Sequence, residues 1–274
     1  MPSSIATPRS SPKSSEPTPA AAAVELRGVS KRFYFYEHRT SSLREWFIRR
    51  VLRRPIHVRH TAFSIQDLDL RVEPGEAVAL LGHNGSGKST VLRLVAGIYQ
   101  PTTGRIVTTG RITAVIELGA GFHPELTGAE NIALYAAVLG LSRRELQQRL
   151  GEIVAFAEME EFLDTPLKYY SSGMEARLAF SVAVCLQPDT LLLDEVLAVG
   201  DQTFRQRCLA RLREFHARGG TLLLVSHELD QIQALCTRAV WLEQGRVVLD
   251  GPIDAVLARY RVAPASAVTP RETP

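Results

Sequence analysis

The sequence predicts an α/β fold in which a parallel sheet carries a phosphate-binding loop at its carboxyl edge. Residues 82–90 read GHNGSGKST, which is the spacing of a phosphate loop, between an apolar strand pattern at 77–81 and a helical pattern at 91–96. The segments 190–195 and 221–227 are apolar runs that end in polar residues. Each precedes a helical pattern, so we expect these strands to lie parallel in a buried sheet.

The composition is that of one large domain, or of a core with a small subdomain. The chain has 274 residues, of which 45% are hydrophobic, and this is enough to bury a full core. Its net charge of +3 is small and dispersed, which argues against a nucleic-acid partner. The cysteines at 185, 208 and 236 are odd in number and far apart. They fit buried thiols in a reducing compartment better than disulfides or a metal site.

The ends of the chain differ in composition from its middle. Residues 1–23 are rich in Pro, Ser, Thr and Ala and lack the apolar core of a secretory signal, so we expect a disordered tail. A single domain is expected at 24–260, with a helical subdomain at about 118–177 and a flexible tail at 261–274. No uninterrupted apolar run reaches about 18 residues, so any membrane role is expected to come through a partner.

The first strand is predicted at 24–36, where apolar residues alternate before a run of aromatic residues. One interpretation is that a ring of this run stacks on a nucleotide base. The other is that the rings pack the edge of a sheet.

An arginine-rich insert is predicted at 38–60. Ser42 and Glu45 form a capping box, and apolar residues including Trp46 and Phe47 recur on one helical face. The insert is therefore predicted to be a basic amphipathic helix. Three roles are open to it: contact with a membrane surface, docking on a partner helix, or packing on its own domain.

A second strand is predicted at 63–72, with a phase slip near 66–67, and two short strands are predicted at 105–108 and 111–116. Together with the strand at 24–36, they predict a mostly antiparallel β layer in the first third of the chain. Two further capping boxes, Thr127 with Glu130 and Ser142 with Glu145, predict successive helices. A third helix is predicted after 169–174, a hairpin at 239–250, and a last helix at 252–260.

The phosphate loop supplies most of the predicted nucleotide contacts. Its glycines allow backbone N–H groups to turn toward phosphate oxygens, and the following helix presents its positive end to the same anion. Lys88 is predicted to reach the terminal phosphates, and Ser89 to hold Mg²⁺. The candidate ligands in the loop are Gly82, Asn84, Gly85, Ser86, Gly87, Lys88, Ser89 and Thr90.

The predicted catalytic residues lie at the ends of the two apolar strands. Asp194 is predicted to orient Mg²⁺ through water, and Glu195 to position the water that attacks the terminal phosphate. His227, at the end of the other strand, is a candidate hydrogen-bond donor to that phosphate.

From about residue 24 to residue 260 the chain resembles the ATP-binding subunit of ABC transporters. Residues 82–90 match the Walker A motif, 191–195 match Walker B with its adjoining glutamate, and His227 matches the switch histidine. Residues 170–174, YSSGM, are similar to the signature motif, which is LSGGQ in most members of the family. The resemblance implies a P-loop NTPase (RecA-like) core with an antiparallel β subdomain and an α-helical subdomain. It also implies an enzyme that binds and hydrolyses ATP.

The resemblance implies roles for residues outside the loop. Ser171, Ser172 and Gly173 would contact the phosphate held by an opposite subunit, in a head-to-tail homodimer that clamps two ATP molecules. Phe33 matches the base-stacking aromatic residue, with Tyr34 and Tyr36 as rivals. Glu117 stands where most members have a glutamine, and a carboxylate there can still bind Mg²⁺. Asp201 matches the aspartate that communicates between the two sites.

Three blocks resemble one branch of the family, the exporters of capsule, O-antigen and teichoic-acid polymers. They are YYSSGM at 169–174, ELGAGFHPELTG at 117–128 followed by ENI at 130–132, and DEVLAVGD at 194–201. This resemblance implies a peripheral subunit on the cytoplasmic face of the inner membrane. It would power the export of a polysaccharide or lipid-linked glycan through a separate permease.

Two other classes of protein agree less well with the sequence. An ABC protein of DNA repair or translation would be expected to have a long heptad coiled coil or a second phosphate loop. The other class is a phosphate-loop GTPase or kinase. A GTPase would be expected to have an Asn-Lys-x-Asp or Thr-Lys-x-Asp sequence, and either enzyme would leave the Ser-Ser-Gly signature unused. The chain contains none of the expected features.

Overall fold

The computed structural model describes residues 21–36, 58–116, 118–196 and 200–262. Its strands are β1 (Val24–Tyr36), β2 (Val58–Val72), β3 (Ala77–Leu81), β4 (Thr103–Thr108), β5 (Ile112–Val115), β6 (Thr190–Asp194), β7 (Thr221–Val225), β8 (Arg238–Glu243) and β9 (Arg246–Pro252). Its helices are α1 (Lys88–Val95), α2 (Gly128–Val138), α3 (Arg143–Ala157), α4 (Ser172–Cys185), α5 (Gln202–Ala217), α6 (Leu229–Leu235) and α7 (Ile253–Val262).

The core is a six-stranded sheet in the order β5-β6-β7-β3-β8-β9. Its first five strands run parallel, and β9 returns antiparallel to β8 as the predicted hairpin. Successive residues of β3 point to opposite faces, and both faces are buried: Val78 and Leu80 belong to one apolar cluster, Ala77 and Ala79 to the other. Burial on both faces explains why the central strands are continuous apolar runs in the sequence.

A three-stranded antiparallel sheet, in the order β2-β1-β4, packs with α1 over one face of the core sheet. The predicted phase slip is confirmed, because the β1–β2 register shifts and Asp67 has φ 48°. The backbone N–H of Asp67 donates to Ser30 Oγ at 3.0 Å, which accommodates the irregular residue.

The prediction for 111–116 is wrong in one respect, because β5 belongs to the core sheet and not to the antiparallel layer. It pairs in parallel with β6, and Asp189 Oδ2 accepts a hydrogen bond from the Arg111 backbone at 2.7 Å. As the edge strand of the core sheet, β5 alternates between buried and half-buried residues. That alternation is also typical of an antiparallel strand, so the pattern alone could not identify its sheet.

Helices cover the other face of the core sheet. The capping boxes at Thr127 and Ser142 are both formed and begin α2 and α3. These helices share an apolar cluster with α4 through Ile132, Ile153 and Leu178. The helical layer is therefore continuous with the core through α4.

Several predicted segments lie wholly or partly outside the described residues, including the tails and most of the insert at 38–60. Two predicted boundaries differ from the structure: Ala23 donates its backbone N–H to Val72 O at 2.9 Å, and α7 continues to Val262. Residues 58–60 of the insert belong to β2. The three cysteines are free and buried, as predicted. Among the described residues, no helix is long and apolar enough to cross a membrane.

Candidate functional site

The phosphate loop connects the end of β3 to the start of α1, and its shape requires glycine. Gly82 and Gly87 have φ 145° and φ 107°. A Cβ at Gly82 would lie 2.3 Å from the Leu242 carbonyl oxygen, and one at Gly87 would lie 2.7 Å from that of Ser64. No side chain caps α1 and its first turn contains no acidic residue, so its N-terminal N–H groups are available to an anion.

Lys88 is buried within this loop, with 6% of its surface exposed. Its Nζ donates to the carbonyl oxygens of Gly82 at 2.8 Å and His83 at 3.0 Å. These two bonds leave one of the three ammonium donors for another acceptor. Burial lowers the pKa of Lys88, while the charges of Glu195 and Asp194 oppose this shift. A bound phosphate would likewise favour the charged ammonium.

The loop opens onto a cavity of about 260 Å³. Its lining combines the loop with one residue from the end of β6 and one from β2: Ser64, Asn84, Gly85, Gly87, Lys88, Ser89, Thr90 and Glu195. The Thr90 hydroxyl lies 2.7 Å from Ser64 Oγ and so already has a hydrogen-bond partner in the antiparallel sheet. The buried Ser86 Oγ has no partner among the described residues.

Asp194 ends β6 beside the loop, in a position suited to Mg²⁺. Burial raises the pKa of its carboxyl, and a hydrogen bond with Ser89 opposes that shift. The Oδ1 atom of Asp194 is buried and has no hydrogen-bond partner among the described residues. A carboxylate and a hydroxyl are oxygen ligands of the kind Mg²⁺ prefers, so these two residues fit the ion. Glu117, the third predicted ligand, lies outside the described residues.

Glu195 and His227 meet at the carboxyl edge of the sheet because β6 and β7 are neighbours. His227 Nε2 lies 2.8 Å from Glu195 Oε1, and both side chains are about half exposed. Glu195 has φ 55°, an uncommon conformation for a residue other than glycine. Its backbone N–H donates to Val225 O at 2.9 Å, which helps to hold that conformation. The carboxylate therefore reaches the cavity while it contacts the histidine.

Phe33 does not line this cavity. Its ring packs edge-on against Tyr99 with centroids 5.3 Å apart, and Lys31 Nζ lies 5.2 Å from the centroid of Phe33 and 5.4 Å from that of Tyr99. Of its predicted rivals, Tyr34 is 49% exposed, and the side chain of Tyr36 lies outside what the structure describes. Base stacking by Phe33 stays a prediction.

The signature residues lie at the exposed start of α4 and do not line the cavity of their own chain. Ser171 is the N-cap of this helix, and its Oγ accepts from the Met174 backbone at 3.2 Å. Ser172 and Gly173 are exposed. The helix start thus presents N–H groups and hydroxyls toward the outside of the subunit, where an anion could bind.

Asp201 is also outside the cavity, at the N-terminus of α5. Its Oδ1 accepts from the Phe204 backbone at 2.8 Å, and this hydrogen bond lowers the pKa of the carboxyl. Arg177 of the signature helix lies 3.8 Å from Asp201 Oδ2. The two segments are therefore in contact.

Three residues near the loop make contacts that no sequence pattern predicted: Ser64, Tyr99 and Tyr260. Ser64 bonds to Thr90, Tyr99 contacts Phe33, and the ring of Tyr260 lies 6.0 Å from that of His83. The sequence carries no local signal for the contacts of Ser64 and Tyr260, because each joins elements far apart in the chain.

Comparisons with known proteins found relatives in sequence and in structure. The model of the ABC transporter family matches residues 65–198. The O-antigen export system ATP-binding protein RfbB of Klebsiella pneumoniae is 43% identical over 88% of this chain and 98% of its own. The teichoic acids export ATP-binding protein TagH of Staphylococcus haemolyticus is 36% identical over 88% of each chain. A solved dimeric ATP-binding cassette in a post-hydrolysis state with ADP and Pi has the same fold, with a TM-score of 0.67 over 84% of this chain and 98% of its own, at 21% identity.

Proposed function

Because the chain belongs to the ABC transporter family, we propose that it is the ATP-hydrolysing subunit of an exporter of a polysaccharide or lipid-linked glycan, which crosses the membrane through a separate permease. The observation that carries this proposal is the meeting of Lys88, Asp194, Glu195 and His227 at one edge of the sheet. Support for the substrate class comes from the relatives named for O-antigen and teichoic acid export, which match nearly the whole domain.

The proposed reaction is the transfer of the terminal phosphoryl group of ATP to water. In this proposal Glu195 orients the water and accepts its proton, and His227, 2.8 Å from the carboxylate, holds it in position. Lys88 and the loop N–H groups stabilise the negative charge on the phosphate oxygens. Mg²⁺, held by Ser89 and Asp194, would help to neutralise that charge.

The proposed assembly is a homodimer in which Ser171, Ser172 and Gly173 complete the site of the other subunit. These residues are exposed and lie outside the cavity of their own chain, which supports a role across an interface. The proposed location is the cytoplasmic face of the membrane, where the subunit would bind its permease. The insert at 38–60 is retained as a candidate contact with the permease or the membrane surface.

Mixing two inactive variants tests the shared site. Lys88→Ala and the double variant Ser171→Ala, Ser172→Ala are each expected to lower hydrolysis at least about tenfold, since each removes contacts to the transition state. In a head-to-tail mixed dimer, one site has both its lysine and its serines intact. The mixture should therefore recover roughly a quarter of wild-type activity, as half the dimers are mixed and each has one intact site.

Recovery is to be measured as phosphate release, with mixed dimers verified by differently tagged chains. The same variants unmixed serve as controls. Verified mixed dimers that remain as inactive as the separate variants would show that the serines do not act across the interface.

The transport function is tested with the membrane partner. Purification of the tagged chain from its own membranes should retain an integral membrane protein, and the complex in vesicles should move lipid-linked glycan only with hydrolysable ATP. Wild-type chain that hydrolyses ATP but retains no membrane protein, or a complex that moves no glycan, would contradict the proposal.

A further inference from the structure

The last described helix, α7, contacts the phosphate loop through Tyr260. The ring centroid of Tyr260 lies 6.0 Å from that of His83, the second residue of the loop. On its other side it packs edge-on against Trp241 of β8, with centroids 5.5 Å apart. Tyr260 is half-buried, so it fills the space between the core sheet and the first turn of the loop.

The same side chain contacts the backbone where the loop begins. Burial raises the pKa of Tyr260, and a hydrogen bond with the Gly82 backbone opposes that rise. The carbonyl of Gly82 in turn accepts from Lys88 Nζ at 2.8 Å. The ring of Tyr260 packs near His83, whose carbonyl also accepts from Lys88 Nζ at 3.0 Å.

The turn at Gly82 has little intrinsic preference for its observed shape. Its φ of 145° lies in a region open to glycine, and glycine reaches many other conformations as readily. Contacts made to the turn therefore help to select the conformation that is observed. Tyr260 makes such a contact through its ring with His83, the second residue of the turn.

We propose that Tyr260 is a positioning residue for nucleotide binding, which holds the turn at Gly82 and His83 in the conformation that accepts phosphate. If the loop adopts the binding-competent conformation for only a fraction of the time, its apparent affinity for nucleotide is reduced by that fraction. The inference rests on the proposed nucleotide site, and it adds a residue that lies outside the loop and both strand ends.

Two substitutions separate the hydroxyl from the ring. Tyr260→Phe keeps both ring contacts and removes only the hydroxyl, so the Kd for ATP is expected to stay within about threefold of the wild type. Tyr260→Leu removes the ring contacts, and a rise of at least about tenfold is expected. Turnover at saturating ATP should change less than about twofold for Tyr260→Leu, because the competent loop conformation is selected once ATP is bound.

Val256→Ala is the matched control, because Val256 lies on the same helix and is fully buried. This variant should lower the melting temperature through lost packing but leave the Kd for ATP unchanged. A spectroscopic readout is available in a Trp46→Phe background, where Trp241 is the one tryptophan left of two. ATP should change the emission of Trp241, and Tyr260→Leu should abolish this change.

Equal ATP affinity in Tyr260→Phe, Tyr260→Leu and the wild type would overturn the inference and leave the proposed function standing. A Kd raised as much by Val256→Ala as by Tyr260→Leu would also overturn it, since docking of the whole helix would then be responsible. Wild-type chain that binds no ATP would overturn both proposals.

Discussion

Replacement of Glu195 with glutamine is expected to leave ATP binding intact and to lower hydrolysis by roughly a hundredfold to ten-thousandfold, the usual effect of losing a general base. Glutamine has the same size and can still bond to His227, whose Nε2 lies 2.8 Å from the carboxylate. It cannot accept the proton of the attacking water. Hydrolysis is to be measured as phosphate release, and ATP binding by equilibrium titration.

The variant should also accumulate as an ATP-bound homodimer, because the step that separates the subunits is blocked. Size-exclusion chromatography with and without ATP measures this directly. Glu228→Gln is the matched control. Glu228 is exposed and follows His227, and the substitution removes the same charge as Glu195→Gln. Its turnover should stay within about twofold of wild type, as is usual for a surface change. Parental turnover in Glu195→Gln would rule out the catalytic role.

Replacement of Lys88 with alanine is expected to weaken ATP binding by about tenfold to a hundredfold, the effect of losing a charged hydrogen bond. Burial already lowers the pKa of this ammonium, so the folded chain holds it at a cost. Its removal relieves that cost but leaves the Gly82 and His83 carbonyls without their donor. These effects oppose each other, and the denaturation midpoint should stay close to that of the wild type.

Lys88→Arg distinguishes the position of the charge from its sign. A planar guanidinium does not replace a compact ammonium bonded to two carbonyl oxygens, so affinity should again fall. ATP titration and chemical denaturation of the same samples measure affinity and stability together. Undiminished affinity in Lys88→Ala would contradict the assignment of the loop. Full affinity in Lys88→Arg would show that positive charge alone is sufficient.

The sequence by itself determined the features whose atoms lie close together along the chain. The phosphate loop follows from residues 82–90, because the glycine spacing permits its turns and the following helix presents N–H groups to an anion. The capping boxes at Thr127 and Ser142 could be predicted for the same reason, since cap and partner are three residues apart. The bounds of β1 and β3 follow from alternation and from a short buried run.

Only the tertiary structure decided which of these features meet. The alternation in β5 indicates a half-buried strand, yet its place beside β6 depends on packing and on Asp189, far along the chain. The contact of Tyr260 with the loop likewise joins residues that are far apart in the chain. A local sequence pattern indicates which residues of a segment are buried. It does not indicate which other segment covers them, because that depends on the packing of the whole core. The phosphate loop was therefore predictable, while the contacts made to it by distant residues such as Ser64 and Tyr260 were not.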